Sequence, residues 1–567
     1  MNNSIYDVII IGAGWGGICT LKHCLEEKLN VIVLDKNNNY GGIWNIENSP
    51  AVYANTYSVT SKNYLSMSDF PIPSSYPEFP HHTLVLEYMY SYIKNFNLHP
   101  HIYIGNTVLR LSKSKDNLWV VSYKNGITKN TIFAKNIAIC TGQNSRCINV
   151  PKIDYSNFKG KVIHANDYDE TFMNDYCLNN RVLIYGGSDS AIDIADELTN
   201  NIYTKKNNKF GIVGKNNTIS KNITKVYLSM HKGRWIQPRS SSGFITNKID
   251  KININSYKTT AADMFYNRTL DSIIKHTSKA IINNTFGKYL ERNGKNWHGI
   301  KQFETNAGYL NSYYIKSSNL VNKVAIGNVE PLGMIEKINP NTIIAHVNDN
   351  LIEIPIDVII FATGYNGLKC FDEFPPYINT GDYYLHIFLI DDPSIVKVGF
   401  IRPYLTSIPM LIEMQSRYIA KVFAKKIFLP NKNIMQEESK QAKHKQSIEF
   451  AYDYERVEGI VDPYDYMNAI GAKINAIPSM IKIIFEDYKL FKLAYFGSWS
   501  QFFYRLNDPD ISKRKIARTS IYELSNYTTS NKIMQIVYNL VIGIIVIIII
   551  IIVVIIYFVI RKKKIII

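Results

Sequence analysis

Short aliphatic runs recur along this chain, and most of them end in glycine or a small polar residue. Val8–Ile11 closes on Gly12-Ala13-Gly14-Trp15-Gly16-Gly17. A run so short and uniformly apolar suits a strand buried on both faces, and the stretch after the glycines takes up a helical period. Val31–Leu34 repeats the pattern and ends in Asp35. Ile102–Val121 alternates apolar and polar residues, which predicts strands joined by a turn, and Asn136–Gly142 predicts a strand ending in a glycine turn. Val182–Tyr185 runs into Gly186-Gly187-Ser188-Asp189-Ser190-Ala191 and a second helical stretch; a further strand opens at Val226. Val324–Gly327 and a strand-turn over Asn341–Ile354 then lead into the aliphatic run before Gly364. Strand, glycine turn, helix and strand occur twice in the same order. The predicted class is α/β, with two dinucleotide-binding (Rossmann-like) domains.

The glycines have separate duties in such a loop. Gly12 permits the tight turn, Gly14 lets a pyrophosphate approach the backbone, and Gly17 lets helix and strand pack closely. The phosphates would sit on the free N–H groups at the helix start, around Ala13, Trp15 and Gly16. Asp35 stands 18 residues after Gly17, where a carboxylate accepts ribose hydroxyls and favours FAD or NAD over a 2′-phosphorylated nucleotide. Position at the amino terminus favours FAD. An accidental glycine cluster is the plainer reading, and it leaves the register of strand, loop, helix and acid unexplained. In the second loop, Ser188 stands at the second glycine position and Ala191 at the third, both small enough for pyrophosphate and helix.

Composition narrows the class further. The 567 residues suffice for at least two domains, and 46% hydrophobic with 20% charged content is that of a globular protein. The net charge of +17 comes from lysines scattered among Asn, Ile and Tyr, without a basic helix or a reader motif, so no nucleic-acid partner is expected. Cys19, Cys24, Cys140, Cys147, Cys177 and Cys370 form no CxxC pair and no metal-ligand spacing. Reduced thiols, no metal and no disulfide-reductase chemistry are expected. MNNSIYD runs directly into the first strand without a signal peptide. Leu540–Ile560 is apolar over 21 residues and is followed by Arg561–Lys564. About 20 helical residues span a bilayer, so this reads as a transmembrane tail anchor with the rest of the chain in the cytosol. The basic end would then be translocated, against the positive-inside tendency, and monotopic insertion is the alternative.

Between the two glycine loops lies Phe158-x-Gly160-x3-His164-x3-Tyr168. Together with the loops it resembles the fingerprint of the flavin-containing monooxygenases, in their eukaryotic membrane-associated branch. The resemblance extends over nearly the whole chain. Gly41-Gly42-Ile43-Trp44 matches the GGxW that comes after the ribose acid, with an indole able to cover the cofactor; Ser68-Asp69-Phe70-Pro71 matches an SDFP string. Counting back from that string, Thr60-Ser61-Lys62 agree, while Val59 falls where the family carries an Asn that supports the oxygenated flavin. Asn136–Gly142 resembles a first ATG-type motif with Cys140 in the Ala position, and Asp357–Tyr365 a second, DxxxFATGY, containing Gly364. Val226–Trp235 resembles the strand that reads the NADPH 2′-phosphate, with His231 and Lys232 at positions that are commonly Arg. Glu413–Arg417 resembles an ELQAR helix whose Arg lies near the nicotinamide nucleotide, and Phe496–Arg518 resembles the closing segment, with Asn507-Asp508-Pro509 in place of its glycine-proline turn.

The resemblance implies FAD and NADPH as cofactors, O2 as co-substrate, and oxygen transfer through a flavin hydroperoxide to a soft nitrogen or sulfur of a small lipophilic molecule. It implies an NADPH domain (169–330, with an insertion near 239–300) set into an FAD domain (1–168 and 331–528), the 540–560 anchor, and the endoplasmic reticulum. His164 takes a structural part, linking the nucleotide domains, and no nucleophile is nominated. Tyr168 stands where ketone-oxygenating relatives carry Trp, which leans toward heteroatom oxygenation. Val59 predicts peroxide release. An uncoupled NADPH oxidase, a ketone-inserting enzyme and a membrane-anchored FAD protein without turnover remain the competing readings.

Overall fold

The computed structural model describes residues 5–47, 52–53, 56–143, 148–199, 203–206, 209–213, 219–220, 225–231, 233–234, 236–237, 315–317, 320–348, 350–365, 374–404, 406–454, 459–496 and 499–527. The insertion near 239–300, Lys232, Cys147, Cys370 and the 540–560 stretch lie outside them. Among the described residues no helix is long and apolar enough to cross a membrane.

The first domain is built on β1 (Ile5–Ile11), α1 (Trp15–Glu26) and β2 (Val31–Leu34). Val8, Ile9 and Ile10 are wholly buried, as an aliphatic run between two helical layers must be. β1 pairs in parallel with β2 on one side and with the end of β6 (Thr128–Ile139) on the other. β3 (Ile102–Tyr103) extends the sheet beyond β2. β4 (Asn106–Lys113) and β5 (Trp119–Asn125) form the alternating hairpin, which continues antiparallel into the first half of β6. Three strands from much later, Tyr383–Tyr384, Phe388–Leu389 and Ile395–Lys397, complete nine strands beyond β6. Because β1 is flanked by β2 on one side and β6 on the other, the strand order reverses at β1 and a crevice opens at its carboxyl end. That crevice is where open α/β sheets bind ligands.

The second domain is a five-stranded parallel sheet. Its order is β10 (Val329–Leu332), β9 (Lys225–Ser229), β8 (Arg181–Tyr185), β11 (Val358–Phe361) and β7 (Lys161–His164). Val324–Gly327, read in sequence as part of the approach to β11, is the end of a helix (Leu320–Ala325) and a turn; the strand begins at Val329. β7 already belongs to the second sheet, and the strands between Ile335 and Pro355 pack on its face through Ile335, Ile343 and Ile354. The physical reason is parallel pairing: β11 needs a neighbour on its outer edge, and β7 supplies it on the way in.

This explains the fingerprint between the loops. A Cβ on Gly160 would sit 2.1 Å from the Asp357 carbonyl and 2.6 Å from the Phe158 ring, so only glycine lets β7 join β11. His164 ends the strand; its Nδ1 accepts from Asn166 N at 3.0 Å, and its ring meets Tyr365 edge-on at 5.4 Å. Tyr168 is buried against Tyr53, ring centres 5.6 Å apart. These are joints between crossing segments.

Candidate active site

The two glycine loops are constructed alike. Gly12 has φ +105°, and a Cβ there would lie 2.6 Å from the Cys140 carbonyl; Gly186 has φ +136°, and its Cβ would lie 2.2 Å from the Ala362 carbonyl. In each case the first glycine turns beneath the residue just past the neighbouring parallel strand, Cys140 after β6 and Ala362 after β11. The two ATG-type stretches are therefore the seats of the two loops. A Cβ on Gly17 would overlap the Gly12 carbonyl at 1.8 Å, which fixes helix α1 against its own loop.

The GGxW segment closes over the first loop. Gly41 N donates to the Ala13 carbonyl at 3.0 Å, and a Cβ on Gly42 (φ +56°) would meet Gly14 Cα at 2.9 Å. Asp35 is buried; its Oδ2 accepts from Ala13 N at 2.5 Å and its Oδ1 from Asn37 N at 2.8 Å. Burial raises its pKa despite these contacts. Trp44 is half-buried on the core beside the glycines, and Ile43 is exposed. Trp15 packs on Tyr88 at 5.7 Å, and its indole N–H is buried without a partner. Thr141 Oγ1 and Gln143 Nε2, just beyond the Cys140 seat, are likewise buried and unpartnered. A cradle too narrow for side chains, bordered by unsatisfied polar atoms, fits a flavin dinucleotide.

The second loop opens α2 (Asp189–Thr199), with Ile192 N donating to the Ser188 carbonyl at 3.1 Å and Ala191 wholly buried. Ser190 hydrogen-bonds the hydroxyl of Tyr53, a residue of the first domain, which also reaches the Ala165 carbonyl at 3.3 Å. Nothing in the sequence singles out Tyr53. His231 stands at the end of β9, edge-on to Tyr185 at 5.1 Å, with burial lowering its pKa. Gly364 (φ +83°) accepts from Asn149 N at 2.9 Å, so it straps two crossing segments together beside its loop.

Val59 is half-buried on a tight turn: Ser58 Oγ accepts from Thr60 N at 3.2 Å and donates to the Thr60 carbonyl at 2.6 Å, and Ser58 N donates to Pro80 O at 2.9 Å. Thr60 is buried. The stretch after it is clamped by Gln501, whose amide donates to the Asn63 and Ser66 carbonyls at 2.7 and 2.8 Å.

Arg417 lies on α3 (Ile408–Phe423), which packs against α1. Its Nη2 donates to the Tyr504 carbonyl at 3.1 Å, and burial lowers its pKa to about 10. It belongs to a buried group of charges that sequence reasoning does not assemble. Arg505 reaches Asp69 at 3.0 Å, Glu413 at 2.8 Å and Asp508 at 2.7 Å, with its Nε donating to Ser68 Oγ at 2.7 Å. Lys22 of α1 pairs with Asp69 and, at 2.8 Å, with Glu26. The SDFP, ELQAR-like and closing-segment residues thus converge behind the cofactor helix. His23, Asp69 and Glu413 approach within 4.8 Å of one another, but Lys22 and Arg505 already occupy the carboxylates.

The comparisons agree with this architecture. The flavin-binding monooxygenase-like family model matches residues 6–206 and 211–561. Mouse dimethylaniline monooxygenase (N-oxide-forming) 2 is 25% identical over 523 residues, covering 88% of this chain and 89% of that protein. Among solved structures, S-allyl-L-cysteine S-oxygenase from Allium sativum superposes with a TM-score of 0.55 at 16% identity, over 93% of this chain and 100% of that one. Cyclohexanone monooxygenase superposes at 0.59 and 15% identity, over 86% and 99%. The chain belongs to the flavin-binding monooxygenase-like family. It is a flavin-dependent monooxygenase, an enzyme that uses FAD and NADPH.

Proposed function

We propose that the enzyme transfers one oxygen atom of O2 to a soft nitrogen or sulfur of a small lipophilic substrate, from a membrane-anchored position facing the cytosol. The observation that carries the reading is the pair of glycine loops, each seated under its own ATG-type stretch and joined through Tyr53 and Ser190. A protein that only stored flavin has no use for the second loop.

When bound, FAD would supply hydride acceptance from NADPH and activation of O2, with one oxygen atom going to the substrate and the other to water. The chain's own residues bind, orient and exclude water. Gly14, Trp15, Gly16 and Gly17 would present backbone N–H groups to the flavin pyrophosphate; Gly12 and Ala13 shape the loop, their N–H groups being bonded to the Leu34 carbonyl and to Asp35, and Asp35 would accept the ribose hydroxyls. Gly41, Gly42 and Trp44 would cover the cofactor, with Thr60 beside the ring. Gly186, Ser188, Ser190 and Ala191 would hold the NADPH pyrophosphate. Arg417 would act on the nucleotide through the chain beneath it, since its guanidinium is turned toward Tyr504. Tyr168 in place of Trp supports heteroatom over ketone oxygenation. The insertion near 239–300 would shape substrate access, and Leu540–Ile560 would anchor the chain in the endoplasmic reticulum.

Product analysis tests the reading. Purified full-length protein given NADPH, O2 and a thioether, an amine or cyclohexanone is expected to form S-oxide and N-oxide; lactone alone would overturn it. Lys232 would pair with the 2′-phosphate as a point charge. Lys232→Ala is expected to raise KM for NADPH about tenfold, the worth of roughly 1.4 kcal/mol, and to leave KM for NADH unchanged. Steady-state kinetics with both donors checks this.

A further inference from the structure

Away from the crevice, the helices Met480–Glu486 and Tyr488–Phe496 turn large apolar side chains outward. Ile481 and Phe485, one helical turn apart on one face, are 70% and 86% exposed, and Tyr488, past the break at Asp487, is 52% exposed. The inward faces carry Ile483 and Leu490, both buried, so the outward residues take no part in the core. Single exposed apolar residues are ordinary; three within eight positions on one edge mark a contact surface. Lysines rim them. Lys482, 70% exposed, lies 3.7 Å from Glu486, Lys492 Nζ lies 5.8 Å from the Tyr488 ring, and Lys489 Nζ lies 5.2 Å from the ring of Tyr522. The carboxylates at the break are engaged: Glu486 with Arg518 at 2.9 Å, and Asp487 with the Tyr522 hydroxyl at 2.8 Å. Outward apolar tips among long cationic stems are what a bilayer interface selects.

The same contacts locate the patch relative to the chain's exit. Tyr522 stands five residues before the end of the helix Ile511–Tyr527. At a rise of 1.5 Å per residue, the chain departs within about 8 Å, along that axis, of the Asp487 break. Residues 528–539 then lead to the apolar stretch at Leu540, a span of at most about 40 Å when extended. We propose that this helix pair is a second membrane contact. Ile481, Phe485 and Tyr488 enter the headgroup–acyl boundary of a bilayer containing anionic lipid, whose phosphates face Lys482, Lys489 and Lys492. The patch's place near the bilayer rests on the tail-anchor reading; the chemistry of its occupant rests on its own side chains.

The test uses full-length protein carrying a nitroxide at Phe485→Cys, with Ile127→Cys, at a position 100% exposed, as the aqueous control. Protein labelled without either substitution supplies the background of the native thiols. On vesicles of phosphatidylcholine and phosphatidylserine, the label at 485 is expected to favour O2 over a water-soluble nickel complex several-fold more than the label at 127. Ile481→Asp should remove the difference, and omission of phosphatidylserine should reduce it. Equal nickel access at both positions on protein-bearing vesicles overturns the proposal. Shielding from both reagents, unchanged in detergent, also overturns it and makes the occupant protein, the chain's own tail or a second copy. Alkaline carbonate tests the anchor separately: protein stripped by carbonate, yet reporting lipid at 485 at neutral pH, fails the anchor reading and upholds the patch. Protein that never floats with vesicles overturns both.

Discussion

Val59→Asn is expected to lower the ratio of H2O2 released to oxygenated product by about tenfold to a hundredfold. The turn that carries residue 59 is pinned from both sides by Ser58 and by the Pro80 carbonyl, so the backbone already fixes where the side chain points. Valine fills that place without a hydrogen-bond donor. A preorganised donor in a water-excluded site is worth roughly 1.5–3 kcal/mol toward developing charge, which corresponds to that range of rate. Asparagine is close to valine in volume and the site is half-buried, so the substitution adds the donor with little repacking. Val59→Ala is the control: it alters volume and adds no donor, and should leave the ratio where it stands. Parallel assays of NADPH consumed, peroxide formed and S-oxide formed decide the matter. An unchanged ratio in Val59→Asn would mean that another group already holds the reduced cofactor's oxygen chemistry in check.

What could be read from sequence, and what could not, divides by the range of the interactions involved. Gly12, Gly17 and Gly186 answer to steric demands set within a few residues and by one parallel neighbour, so their positions carry the loops openly. The aliphatic strands announce burial on two faces in the same local way. Domain divisions were less legible because β7 lies inside the fingerprint between the loops, and only its pairing with β11 assigns it to the second sheet. The charge cluster was hidden altogether. Lys22 sits in a helical pattern and Asp69 in a loop, and the contacts that join Ser68, Asp69, Glu413 and Arg505 cross separations of 345 and 436 residues. A clue was present: the SDFP string, the ELQAR-like helix and the closing segment contain charges (Asp69, Glu413, Arg417, Arg505) that would be costly to bury singly. Arg417 could be placed on its helix from sequence, but its direction, toward Tyr504, depends on where the closing segment packs.

Arg505→Met should cost about 3–5 kcal/mol and release flavin from the folded chain at a temperature lower by about 10 °C. The buried group balances three cations, Lys22, Arg417 and Arg505, against three carboxylates, Asp69, Glu413 and Asp508. Arg505 touches all three carboxylates, so its loss leaves more negative charge without a partner than any other single change here. Burial alone would push Asp69 upward, yet Arg505 and Lys22 outweigh it and hold the carboxyl far below its usual range; Asp508 is held down against burial in the same way. A folded pKa below the unfolded one contributes stability that is present above about pH 4 and is lost as pH falls through the depressed values. In Arg505→Met, burial acts on Asp69 with Lys22 the chief cation left to oppose it, and protonation then relieves the defect. The difference between native and variant protein should therefore be largest above about pH 6 and shrink as pH approaches 4. Arg505→Lys keeps the charge and loses the fork that reaches Ser68 and three carboxylates, so partial recovery is expected. Because the group ties α1 to the stretch after residue 58 and to the closing segment, loss of flavin should accompany loss of stability. Thermal unfolding followed by flavin fluorescence across pH 4–8 checks both. A penalty that does not vary with pH would show that the cluster acts through packing, and its charges could then be replaced together by apolar residues of similar volume.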